Sequence, residues 1–174
     1  MITAETQRSQ RGDFVFIMRL KATLFLTLLL YVPFLWAGEA TLVKPGPKDK
    51  CPVCGMFVAK YPDWVAAITF ADGSTVFFDG VKDMLKFFFN PGKYAPGKTT
   101  ADIQAIHVTD YYRMGPINGR RAFYVAGSDV YGPMGKELIP FEKEAEAQEF
   151  MKDHKGKTVL PFDQIDLSLV MGLD

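Results

Sequence analysis

Six consecutive residues, Cys51-Pro52-Val53-Cys54-Gly55-Met56, carry two thiols and a thioether. Proline and glycine inside the segment favour a turn, and a turn of that length can point all three sulfurs at one spot. Thiolate and thioether are soft ligands, and soft ligands select Cu(I), an ion that accepts few of them. Zinc is served less well, because structural zinc sites take four ligands from Cys and His and the chain has only two of each. The Cys pair alone is open to three readings: a metal site, a redox dithiol or a disulfide. A bridge closing so short a loop removes little entropy from the unfolded chain, so it would add little stability. Met56 beside the pair adds weight to the metal.

A second methionine stands in Tyr131-Gly132-Pro133-Met134-Gly135. Glycine and proline on both sides leave its side chain little local packing, which places Met134 at a loop surface, free to converge on Met56 across an interface between repeats. The competing reading is a loop methionine laid on the core. Met114, in Arg113-Met114-Gly115-Pro116, has the same character. His107 lies in the apolar segment 105–108 and reads as a satisfied core or surface histidine. His154, near a helix end, suits a role against the helix dipole. Asp79 and Asp110 stand at element ends, where capping and turn formation account for them. The sequence shows no Ser/His/Asp set, no phosphate-binding glycine loop and no paired catalytic carboxylates, so it reads as a binding protein and not an enzyme.

The elements that must hold these residues follow from periodicity. Residues 38–50, with Pro45, Gly46 and Pro47 among three lysines, read as a flexible tether. Residues 64–70 form a β-type run, Asp72-Gly73 a hairpin turn, and residues 75–78 a second strand. Asp79 is then expected to cap a helix in which Val81, Met84, Leu85 and Phe88 share one face. Asn90-Pro91-Gly92 stops it, and residues 103–109 make a third strand. The same order recurs with a strand at 121–126, a turn-rich loop at 127–135, a short strand at 137–139, a helix at 142–154 and a last strand at 158–162. The expectation is an α+β fold of two homologous ββαβ units, 51–110 and 111–174, packed around a shared aromatic core. That core should include Phe70, Phe77, Phe87 or Phe88, and Phe150.

Arg19 and Lys21 precede an apolar run at 22–35, which is followed by Ala37 and Gly38. The run is shorter than the ~20 residues that span a bilayer, so residues 1–37 read as an overlong start, with Met18 the initiator, and an export signal cleaved near Ala37 or Ala40. Left uncleaved, the signal would tether the protein to the inner membrane. No cysteine directly follows the run to accept a lipid. Beyond Ala37 the chain carries 16 basic and 18 acidic residues. That balance argues against nucleic acid as a partner, since neutralising phosphates requires a basic surface.

Four linked motifs carry a resemblance: Cys51–Met56, the run Phe77-Phe78-Asp79-Gly80-Val81-Lys82-Asp83-Met84, the run Val108-Thr109-Asp110-Tyr111-Tyr112, and residues 127–135. Together they closely resemble the NosL family, over about residues 50–166. The resemblance implies two ββαβ units and a periplasmic copper chaperone that helps to assemble the copper sites of nitrous-oxide reductase in denitrifying bacteria. It implies Cu(I) held by sulfur, carried here onto Cys54 and Met56 and then onto Cys51 and Met134. It implies as partners nitrous-oxide reductase or its copper-site assembly machinery in the inner membrane. Many members bear a lipidated cysteine after the signal, which this sequence lacks. A rival reading is a thiol–disulfide oxidoreductase using Cys51 and Cys54. Against it, the pair has no βαβ context and Met56 would take no part in that chemistry. A third is a scaffolding subunit in which the two cysteines form an inert disulfide.

Overall fold

Two antiparallel sheets, each packed against a helix, are laid out in the computed structural model, which describes residues 44–174. The proposed export signal and its cleavage site lie outside the described residues. In the first sheet β1 (Ala66–Phe70) is central, flanked by β2 (Thr75–Phe78) and β3 (Ile103–Thr109), with the short strand β4 (Pro116–Asn118) beyond β3. The β1–β2 turn is the expected Asp72-Gly73: Gly73 has φ +82, a left-handed conformation that favours glycine, and Asp72 Oδ1 accepts from the Ser74 amide. Helix α1 (Val81–Phe89) follows β2 and buries Val81, Met84, Leu85 and Phe87. Phe87, and not Phe88, is the fully buried ring. Pro91 ends α1 and immediately starts the one-turn helix α2 (Pro91–Tyr94), as proline at a first helical position allows.

The second sheet runs β6-β5-β7, from β5 (Phe123–Gly132), β6 (Gly135–Phe141) and β7 (Thr158–Pro161), with helix α3 (Glu144–Asp153) between β6 and β7 in sequence. The order ββαβ therefore occurs twice, within an α+β fold. Residues 127–135 depart from expectation. They are not a loop but the outer half of a long hairpin, whose tip is Pro133-Met134. Its register shifts between Ala126 and Tyr131, and Gly127, at φ +77, lies in that irregular stretch. Glycine there marks a bulge in a strand, which in sequence looks the same as a turn. A further helix, α4 (Leu167–Met171), was not foreseen. Asp166 caps it by accepting from the Leu169 amide.

The expected single aromatic core is instead two. The larger cluster holds Phe70, Phe77, Phe78 and Phe87 together with Tyr124 and Leu138 of the second sheet and Val170 of α4. The smaller holds Val125, Ile139, Phe141, Ala147 and Phe150. Alternation along β5 and β6 explains the division, since successive side chains point to opposite faces. Tyr124 and Leu138 face the first sheet's core, while Val125 and Ile139 face α3. The second sheet is thus covered on both faces, and Phe150 belongs to the far side.

Candidate metal centre

The cysteine loop is closed by its own backbone. The Cys51 amide donates to the Met56 carbonyl at 2.9 Å, and the Gly55 amide to the Cys51 carbonyl at 2.8 Å. Lys50 and Phe57 form an isolated antiparallel bridge at its neck, and the Val58 amide reaches the Asp49 carbonyl at 3.0 Å. Gly55, at φ +80, supplies the left-handed residue such a tight reversal needs. Residues 46–50, read as the end of a tether, are themselves held, with the Gly46 amide on Asp49 Oδ2 at 2.7 Å.

The two sulfurs meet two carboxylates. Cys51 is buried, and its Sγ donates to Asp83 Oδ2 at 3.4 Å. Cys54 is half-buried, and its Sγ donates to Asp79 Oδ1 at 3.1 Å. One ligand atom from each of these four residues lies within 4.8 Å of the others, and the cysteines are not bridged to each other. Removal from water raises both thiols. Amides from Val53 and Cys54 on the Cys51 sulfur, and from Met56 on the Cys54 sulfur, pull the other way, while Asp79 pushes up. The result holds Cys54 at about 12 and Cys51 well above the usual thiol range. Both therefore keep their protons at neutral pH.

Asp79 is not the helix cap it was expected to be. The N-cap of α1 is Gly80, and no side chain at that position caps the helix. Asp79 turns instead to the thiol, and its second oxygen, Oδ2, is buried without a hydrogen bond. A buried carboxylate oxygen left unpaired in this way fits a cation. Asp83, in the first turn of α1, is buried as well, with Lys86 Nζ 3.8 Å from its Oδ1. Sequence reasoning missed both acids as members of the site. The available signal was Asp83 inside an apolar helix, one turn after Asp79.

Met56 is half-buried in the cysteine loop, tied to both cysteines through its backbone. Met134 is 45% exposed at the hairpin tip, and its carbonyl accepts from Lys82 Nζ at 2.9 Å. The tip of the second sheet's hairpin is thus fastened to the residue just before Asp83. Met114 is exposed, with φ 54, and its amide is held by the Asp110 carbonyl in the turn after β3. His107 sits in β3 opposite Ala67, and His154 stacks on Phe150 with Nδ1 3.2 Å from Asp129 Oδ1. Neither histidine belongs to the cysteine–carboxylate cluster. Asp110 shapes its turn as expected, accepting from the Tyr112 and Arg113 amides.

The arrangement joins two soft donors to two hard ones around a common point. Sulfur is the component that selects a soft ion, and the carboxylates are placed to take the thiol protons or to complete the coordination.

The NosL family profile matches residues 42–170. The copper-binding lipoprotein NosL of Stutzerimonas stutzeri is 29% identical over 130 residues, covering 70% of this chain. That match spans 64% of the relative's own length, just under two thirds. The crystal structure of the copper chaperone NosL from Shewanella denitrificans has the same fold, with a TM-score of 0.62 at 22% identity over 73% of this chain and 96% of that one.

Proposed function

The chain belongs to the NosL family, and on that footing we propose that it is a Cu(I) metallochaperone of the periplasm that takes its cargo at Cys51 and Cys54. The gathering of two thiols and two carboxylates within 4.8 Å carries this reading. Loading is a proton exchange. Cu(I) bound by both sulfurs displaces the two S–H protons, leaving two Cu–S bonds and two released protons. Asp79 and Asp83 already accept from those thiols, so they are the nearest acceptors. Release runs in reverse: reprotonation competes with the metal for each sulfur. A site that must give up two firmly held protons grips its ion less tightly at neutral pH than one of preformed thiolates. That suits transfer to a partner.

Met56 and Met134 are proposed as the exchangeable thioether ligands. Met56 is part of the cysteine loop, and the Lys82 bond keeps Met134 over the start of α1. For the client we take nitrous-oxide reductase or its copper-site assembly machinery at the inner membrane. The lipoprotein relative supports an exported protein. The oxidoreductase reading is disfavoured by the thiols themselves, because the thiolate is the nucleophile in exchange and both thiols here are raised.

Competition of the reduced protein with a Cu(I) chelator tests the proposal. The expected result is about one Cu(I) per chain, an inference from one cluster of soft donors, with Zn(II) held more weakly and no activity in an insulin-reduction assay. Zinc bound as tightly as copper would overturn it.

A further inference from the structure

Helix α1 cannot cap itself. Its N-cap, Gly80, is extended at φ −178 and ψ 161 and has no side chain to accept from the first amides. The acceptor comes from the other sheet. Glu137 of β6 is buried, and its Oε1 lies 2.5 Å from the Lys82 amide and 2.9 Å from the Leu138 amide. Its Oε2 packs so closely on Gly80 that a Cβ there would overlap it. Lys82 is held a second time through its side chain, which donates to the Met134 carbonyl. The β5–β6 hairpin therefore grips the first turn of α1 by backbone and by side chain. Of the acceptors for the two thiols, Asp79 stands just before that turn and Asp83 within it.

Burying a carboxyl group is unfavourable unless its hydrogen bonds offset the loss of water. Here one of those bonds goes to the helix that carries the site. We propose that Glu137 is a positioning residue for the metal centre: by capping α1 from the second sheet, it fixes where Asp79 and Asp83 stand against Cys54 and Cys51. The inference rests on the Cu(I) reading above for its functional meaning, while the geometry it asserts is independent of the metal. Gly80 is the complementary half of the device, since only a residue without a Cβ admits the Glu137 carboxyl group.

The test uses the reduced full chain with Glu137→Ala, Glu137→Gln, Gly80→Ala and the double variant Gly80→Ala/Glu137→Ala. Two quantities are read: Cu(I) affinity by chelator competition, and the infrared S–H stretch of the metal-free protein, which reports the thiol–carboxylate hydrogen bonds directly. Glu137→Ala should weaken Cu(I) about tenfold, the lower end for loss of an outer-shell partner, and move the S–H bands toward those of unbonded thiols. Glu137→Gln keeps an oxygen for the Lys82 amide and should restore most of both. Gly80→Ala should imitate Glu137→Ala, and the double variant should be no worse than either, because all three remove one contact. Ile139→Val, which loosens the smaller core, should lower thermal stability and leave the S–H bands in place. Unmoved S–H bands in a folded Glu137→Ala, or additive losses in the double variant, would refute the proposal. Should Glu137→Ala fail to fold, Gly80→Ala and Glu137→Gln decide by the same criteria. A wild-type protein that binds no Cu(I), with S–H bands that still move in Glu137→Ala, would uphold the positioning and remove the cargo.

Discussion

At the scale of single residues, the thiols and acids divide the work of the site. Cys54 is the more accessible sulfur, and on the proposed Cu(I) reading it is the one an arriving ion would meet first. Cys54→Ser should reduce Cu(I) affinity by more than about a hundredfold, beyond what outer groups contribute. Cys51→Ser should cost less, and chelator competition ranks the two. Because both thiols are protonated at neutral pH, with Cys54 at about 12, Cu(I) affinity should climb steadily from about pH 6 to about pH 9, about tenfold per unit for each proton displaced. A plateau inside that range would contradict the thiol assignment. Asp79 accepts a hydrogen bond from the Cys54 thiol, and that bond helps to raise it. Asp79→Asn should therefore lower the Cys54 thiol and move its alkylation profile to lower pH. The sulfur half of the cluster was legible in the sequence, since two cysteines and a methionine fall within six residues. The acid half was not. An aspartate just before a helix ordinarily caps it, and nothing local to Asp79 says that the cap comes from Glu137.

Individual elements carry their own consequences. Gly55 has φ +80 and open space around its Cα, so Gly55→Ala meets no clash and pays only for the left-handed backbone. That should destabilise the metal-free protein by about 1–2 kcal/mol in chemical denaturation. Strand β6 places Glu137 where burial raises its carboxyl to about 8 from 4.5. A group raised in the folded state stabilises fully below its unfolded value, and that contribution is lost as pH rises through the folded value. The thermal midpoint should therefore fall between about pH 4.5 and about pH 8, and Glu137→Gln should flatten that part of the slope. The first hairpin, the two longer helices and the ββαβ succession of both halves could be read from alternation and 3.6-residue periodicity, whereas the short strand β4 and the one-turn helix α2 could not. The β5–β6 hairpin was cut short because the glycines at 127 and 132 resemble turn residues. Only pairing with residues 135–141 shows that they sit within a strand. Helix α4 escaped because five residues are too few to display a period.

Across the whole molecule the two halves exchange fastenings. Glu137 of the second sheet caps α1, and Asp110 at the end of β3 accepts from the Glu142 amide at 2.7 Å, at the approach to α3. The larger core draws on both sheets. Phe87→Ala in the larger core and Phe150→Ala in the smaller should each cost roughly 3–5 kcal/mol and shift one common transition. Separate transitions seen by fluorescence and circular dichroism would contradict this. The twofold ββαβ order was visible in the sequence, but not the ties between halves, which join residues too far apart for any local pattern to link. Those ties also set a timetable. Every sulfur and carboxylate of the cysteine cluster lies between residues 51 and 83, whereas the acid that caps their helix is made more than fifty residues later. A chain emerging amino-terminus first, from the ribosome or through a translocation channel, thus carries the whole donor set before the centre can assemble. A fragment ending ahead of Glu137 should hold every one of those donors and still leave them unassembled, so on this reading the nascent protein carries no finished trap for metal until Glu137 has been made.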